Sequence, residues 1–414
     1  MTFKKTLLAL SIALLASCGD SDDNPSTNNP TTQTGFFIDS AVQGLAYRSD
    51  STSGITGADG SFEFVEGETI TFSVGSLELG SAVGDTYITP ISLVSGATAS
   101  NEAVINIVRL LLMLDTDNDS SNGITVSTEV QGVAASWTQV NFTDVAINSL
   151  LQALMAEVEM ADSRTATLSS AATAQAHLEL SYACIASGVF SGTFSGDDSG
   201  TFGLLLEAQR IDLGDFGDNL PRTGVTSAVV YSSVEEELYV TGFGAGLSFD
   251  SSLAVIAGSV NSGAEFSGNL TDNNMLAGNW RNDIYAESGT FSGERIAGDP
   301  SAIHRLSGIV LTNSVLPDAD NIGYIAVDVF ANNSSSGYIV LIDGTQIAIS
   351  GTYNPETSAI SLSGEDKQVD INFDPSGDAI VVGGIPSFTG TWTGQGTSGN
   401  VGGSSCQLNN LDPG

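Results

Sequence analysis

The chain has 414 residues and sets 48 Asp and Glu against 11 Lys and Arg, a net charge of −37. A surface of that sign repels nucleic acid and anionic lipid head groups and offers no basic patch to phosphate, so nucleic-acid partners are excluded. The length suits roughly two to four packed domains.

Lys4 and Lys5 precede an apolar run, Leu7 to Leu15, broken only by Ser11. The run is too short to span a bilayer, which takes about 20 apolar residues. A charged start, a short apolar stretch and small residues before a cut site read as an export signal over residues 1–17. Leu15-Ala16-Ser17-Cys18 resembles the bacterial lipobox. That resemblance implies that Cys18 carries thioether-linked diacylglycerol and an N-acyl chain, an anchor of several chains where one alone would bind marginally. Gly19, rather than Asp, follows Cys18 and by the same analogy favours the outer membrane, with the periplasmic face of the inner membrane as the alternative. Residues 18–34 include no aliphatic or aromatic side chain after Cys18 and read as a disordered tether. The mature chain keeps nine Lys and Arg against 48 Asp and Glu, a net −39, with Lys367 its one lysine. Such a surface suits solubility at high ionic strength.

Residues 35–95 read as short strands: Phe36-Phe37-Ile38, Gly44 to Tyr47, Ser61 to Phe64 and Thr69 to Val74, punctuated by turns. In Gly54 to Phe64, Asp59-Gly60 supplies a tight turn and Phe62 and Phe64 alternate toward one core. This stretch resembles the signature of carboxypeptidase-regulatory-like β-sandwich modules, which implies a spacer or binding role. Over 100–182 the period changes. Val104, Val108, Leu111 and Leu112 fall at helical spacing, as do Val145, Leu150, Leu151, Leu154 and Val158, and Ser163 to Leu180 is rich in Ala. A helical connector with an acidic loop is expected there.

From Ser187 the chain turns Gly-rich and strand-like, with Gly-Thr-aromatic units at 192–194, 289–291, 351–353 and 390–392. Gly278-Asn279-Trp280 before Ser288-Gly289 is echoed by Gly390-Thr391-Trp392 before Ser398-Gly399. The echo divides the region into two related antiparallel modules, 187–297 and 305–408, each a small meander or barrel with Trp280 or Trp392 as a core plug. The expected fold is therefore mainly β with a helical insert: a β-sandwich-like module, a helical connector and two barrel-like modules.

Stretches spread over most of the mature chain resemble uncharacterised exported lipoproteins of Gram-negative bacteria. They are Phe37 to Gly44, Leu114 to Asp119 with Asn122-Gly123-Ile124, Ala176 to Glu179, Ser187 to Gly192, and Ser405 to Asn409. The resemblance carries no catalytic residue with it.

After lipidation Cys184 and Cys406 remain, in an oxidising compartment where a disulfide is the default and free thiols or a metal pair are the alternatives. The acidic loop places Asp115, Asp117 and Asp119 at alternate positions, followed by Asn122-Gly123-Ile124 and Glu129. Hard oxygen donors in that order could hold a structural Ca²⁺, which takes six to eight oxygens, although the Gly comes too late for an EF-hand. The competing reading is an acidic turn closing the preceding helix. His177 and His304 stand far apart in sequence, in no zinc-binding spacing, and no nucleophile elbow or phosphate loop occurs. No enzyme is expected. Two roles remain: adhesion or surface interaction with an envelope partner, or carriage of an apolar small molecule inside a small barrel.

Overall fold

The computed structural model describes residues 31–206, 225–234, 236–247, 254–259, 264–271, 274–312, 321–373 and 388–408. The expected signal peptide, Cys18 and the tether as far as residue 30 lie outside the described residues.

The N-terminal strands are β1 (Thr32–Phe37), β2 (Val42–Gln43), β3 (Ala46–Arg48), β4 (Ser53–Ile55), β5 (Ser61–Val65), β6 (Thr69–Val74), β7 (Leu77–Val83) and β8 (Tyr87–Ile88). They form a three-stranded sheet, β5-β1-β8, and a four-stranded one, β4-β3-β6-β7. The chain enters β1 at Thr32, so the last three residues assigned to the tether are paired to β5 instead. Their side chains are polar and exposed, and only the backbone ladder recruits them, a contribution that composition does not register. The turn before β5 closes as its sequence dictates. Asp59 accepts from the Ser61 N–H, and Phe62 and Phe64 enter the core with ring centroids 5.9 Å apart.

The helical segment holds α1 (Glu102–Leu114), a 3₁₀ turn (Ser120–Asn122), β9 (Ile124–Thr125), α2 (Thr128–Ala134), α3 (Ile147–Asp162) and α4 (Ala171–Ala186). Asn101, Ser127 and Ser170 cap α1, α2 and α4 by accepting from backbone N–H groups of the first turn. This segment is more than a connector. Leu110, Leu111 and Leu114 of α1 and Leu151 and Val158 of α3 share one core with Phe37, Phe62 and Phe72, and β9 runs parallel to β2. A two-layer arrangement buries the apolar face of each element against the other. Within α1, Arg109 is buried and donates to three neutral oxygens, of Ser169, Asn106 and Asn148. Val145, included in the expected helical stripe, lies ahead of α3 and is fully exposed.

Two closed antiparallel barrels follow. The first comprises β10 (Gly188–Gly196), β11 (Gly200–Leu206), β12 (Val225–Ser232), β13 (Glu237–Leu247), β14 (Ala254–Ser259), β15 (Ala264–Thr271), β16 (Met275–Asn282) and β17 (Glu287–Ile296). The second comprises β18 (His304–Thr312), β19 (Asn321–Val329), β20 (Ser334–Leu341), β21 (Gln346–Asn354), β22 (Ala359–Gly364), β23 (Lys367–Phe373), β24 (Phe388–Gly394) and β25 (Thr397–Gln407). Each strand pairs with its sequence neighbours, and first and last strands close the ring. Alternation fills the interior: along β23, Val369, Ile371 and Phe373 are buried while Asp370 and Asn372 face out.

Trp280 and Trp392 sit at matching places. Each lies on the seventh strand of its barrel, is buried, and donates its indole N–H across to a first-strand carbonyl, of Ser195 at 3.1 Å and of Leu311 at 2.9 Å. Each also faces a glycine on the eighth strand, Gly289 and Gly399. The barrels meet through their outer faces, where Val189 and Leu205 of the first pack with Tyr324, Ala326 and Val340 of the second.

Candidate functional site

A small pocket, open to solvent, forms where the turn after β1, the 3₁₀ turn, α4 and the end of the second barrel converge. Ser40, Ser120, His177, Ser181, Cys184 and Gln407 contribute to its wall. His177 Nε2 lies 3.1 Å from the Asp39 carbonyl and 3.4 Å from its carboxylate, and Nδ1 lies 3.4 Å from Ser120 Oγ. The carbonyl can only accept, so Nε2 donates to it, and Nδ1 lies beside the Ser120 hydroxyl. Asp39 is wholly buried behind the imidazole, and its carboxyl is pushed up to about 6 by burial, a rise that the His177 charge opposes.

Serine, imidazole and carboxylate thus stand in a row, a constellation that sequence spacing hid because its members lie 57 and 138 residues from His177. The contact needed for proton abstraction from Ser120 is long. Acyl transfer also needs N–H groups aimed at a developing oxyanion. The N–H groups beside Ser120 are spent: Ser121 donates to the Asp119 carboxylate and Asn122 to the Asp119 carbonyl. Across the pocket, the Ser40 N–H donates to Ser181 Oγ. The arrangement ties three chain segments together around a polar recess. Segments around Asp39, His177 and Cys406 contribute to this wall or lie directly behind it.

The four candidate calcium ligands do not form one coordination group. Asp115 is buried and accepts from the Thr125 N–H, Asp117 accepts from the Asp119 N–H and the Asn122 side chain, and Asp119 accepts from Ser121. Glu129 stands on the first turn of α2, where Thr128 donates to it. Among the described residues no three or more His, Cys, Asp or Glu side chains are gathered as a metal would require. Asp115 is pushed up to about 7, first by burial and further by the neighbouring Asp117 charge, against the Thr125 hydrogen bond. Asp117, although partly desolvated, is held below the usual carboxylate range by hydrogen bonds from Asn122, the Asp119 backbone and Asp115. As pH falls, the pair therefore takes up its first proton on Asp115 rather than on Asp117.

Cys184, in the last turn of α4, and Cys406, on β25, form a disulfide with Cα atoms 5.4 Å apart. His304 begins β18 and is buried against Tyr353 and Phe373, and burial pushes its pKa down to about 4. A second concavity lies between the barrels beside Thr201, Tyr231, Tyr324 and Ile342. Comparison with models of known families, with curated proteins and with solved structures finds no match.

Proposed function

We propose that this chain is a lipid-anchored, non-catalytic protein of the cell envelope that acts by surface interaction or adhesion, with the outer membrane as its favoured site. The observation that favours this choice is the cluster of buried apolar side chains inside the second barrel. Ile325, Val327, Ile349, Ile360, Leu362, Val369 and Ile371 pack there as one cluster capped by Trp392. A carrier needs a cavity of a few hundred Å³ inside the barrel, whereas a packed barrel presents its outer face and loops. The acidic, tethered chain suits that role, because net charge keeps an exposed module soluble while the anchor holds it at the surface.

The anchor is tested by Cys18→Ala. The variant is expected in the soluble periplasmic fraction or as uncleaved precursor, and a variant lipidated and processed like the wild type refutes the anchor. The choice of role is tested on protein purified from its native host. Denaturation and extraction should release no stoichiometric lipid or hydrocarbon. Recovery of one apolar molecule per chain would replace the interaction reading with the carrier.

A further inference from the structure

Two of the chain's eleven cationic side chains are buried together where the helical segment and both barrels meet. Arg295 lies at the end of β17. It donates through Nη2 to the Ile185 carbonyl in the last turn of α4, 2.8 Å away, and its charge lies 5.2 Å from the centre of the Phe190 ring. Its stem runs between Gly188 and Gly298, where a Cβ would stand 3.2 Å and 2.6 Å from Arg295 carbons. Both glycines have positive φ, so backbone and side chain together are shaped around this arginine. Arg305, on β18, donates through Nε to Asp328 at 3.3 Å and through Nη2 to the Asp299 carbonyl at 3.5 Å. The Tyr87 hydroxyl faces it from the N-terminal sheet.

The charges do not balance. One carboxylate, Asp328, serves two guanidinium groups, and its second oxygen is taken by the N–H groups of Gly298 and Asp299. Nε and Nη1 of Arg295 and Nη1 of Arg305 are buried without a hydrogen bond, and the Tyr87 hydroxyl beside Arg305, itself buried and unpaired, is one neutral oxygen against these three donors. Burial, and then the Arg305 charge, lower the Arg295 pKa to about 9, which still leaves both groups cationic at neutral pH. Buried N–H groups almost always have acceptors. Water could accept from these nitrogens, but it would leave a net positive charge in the interior, which is what buried arginines avoid.

We propose that Arg295 and Arg305 together hold a small inorganic anion of halide size, which completes the junction between the helical segment and the two barrels. The orphaned donors on two neighbouring cations supply the hydrogen bonds, the excess charge supplies the sign, and the depth of burial restricts the size. The net charge of −37 disfavours loose association of anions with the surface, so occupancy of a buried site is separable from surface screening.

Crystals of the mature chain soaked in bromide test the site directly. An anomalous peak within hydrogen-bond reach of Arg295 Nη1 and Arg305 Nη1 is expected, and its absence, or a water there instead, overturns the proposal whatever else is measured. In solution, unfolding in chloride or bromide should occur about 2 °C or more above unfolding in gluconate of the same ionic strength, since a ligand bound only by the native state raises its stability. Arg295→Met, which keeps the apolar stem, should unfold at one temperature in all three salts. If that variant does not fold, Arg295→Lys should reduce the chloride-to-gluconate difference. Equal unfolding temperatures of the wild type in all three salts would also overturn the proposal.

Discussion

At Asp115 a carboxyl group is taken from water at the end of α1 and set beside a second acid. Its folded-state pKa of about 7 lies above the ordinary 3.8, so the folded chain binds this proton more tightly than the unfolded one. The linked stability is fully present below pH 4 and is lost as pH rises through 7. Asp39, pushed up to about 6, acts in the same direction. His304, pushed down to about 4, acts oppositely, because the unfolded chain takes up its proton as pH falls below 6.5 while the folded one resists. Asp115→Asn isolates the first contribution. The variant should be more stable than the wild type by on the order of a few kcal/mol at pH 8 and equal to it near pH 4. Urea titrations across that range measure the difference, and a gap that does not change with pH would show that Asp115 ionises freely. The sequence displayed this acidic loop openly, but its alternating carboxylates carried two meanings. Which residue turned inward was decided by the chain reversal after α1. Asp39, His177 and Ser120 were harder still to read, since three segments far apart in sequence meet only through tertiary packing.

Among the elements, the barrels were legible because their pattern is local. Alternation writes each strand, a turn residue ends it, and the next strand pairs with it, so a meander needs no long-range information until it closes. Closure is where glycine enters. In the first barrel Gly192 pairs with Gly293 across the first and last strands, and in the second Gly308 pairs with Gly403. The Trp and Gly echo seen in the sequence is the same closure viewed from the seventh strand. A Cβ on Gly399 would stand 2.5 Å from the Trp392 indole nitrogen and nearer still to the Leu311 carbonyl that the indole binds. Gly399→Ala should therefore destabilise the chain by about 1–3 kcal/mol, since neither ring nor strand can yield without loosening the plug. Gly132→Ala is the contrast. That glycine is within α2 with nothing near its missing Cβ, and the change should add up to about 1 kcal/mol. Denaturant midpoints of the two variants moving in the same direction would contradict the steric argument. Helices were less legible. Of the stripe Val145, Leu150, Leu151, Leu154 and Val158, α3 buries Leu151 and Val158, while Val145 and Leu150 are exposed.

Over the whole molecule, the disulfide joins two elements that lie 222 residues apart in the sequence. Cys184 ends the helical segment and Cys406 ends the second barrel, so the bridge closes a loop of 222 residues that contains nearly all of both barrels. In the chain-entropy account, cross-linking a loop that long removes about 5 kcal/mol of freedom from the unfolded chain. The bridge also fixes where the barrels can go. With it, β25 is held at the end of α4, beside the pocket of His177 and Gln407. Without it, the second barrel still meets the rest through the short link after β17, the interface of Val189 and Leu205 with Tyr324 and Val340, the bonds of Asp328 to the N–H groups of Gly298 and Asp299, and the packing of Phe330 and Leu408 against the cluster of the first barrel. Barrel interiors are separate hydrophobic clusters, which favours separate melting once the tie is cut. The paired variant Cys184→Ala with Cys406→Ala should lower the first denaturant midpoint and divide one transition into two. Calorimetry would show the upper component matching the second barrel expressed alone, provided that fragment folds. A single transition in the variant, as sharp as in the oxidised wild type, would mean that the apolar contact between the barrels alone makes them one cooperative unit.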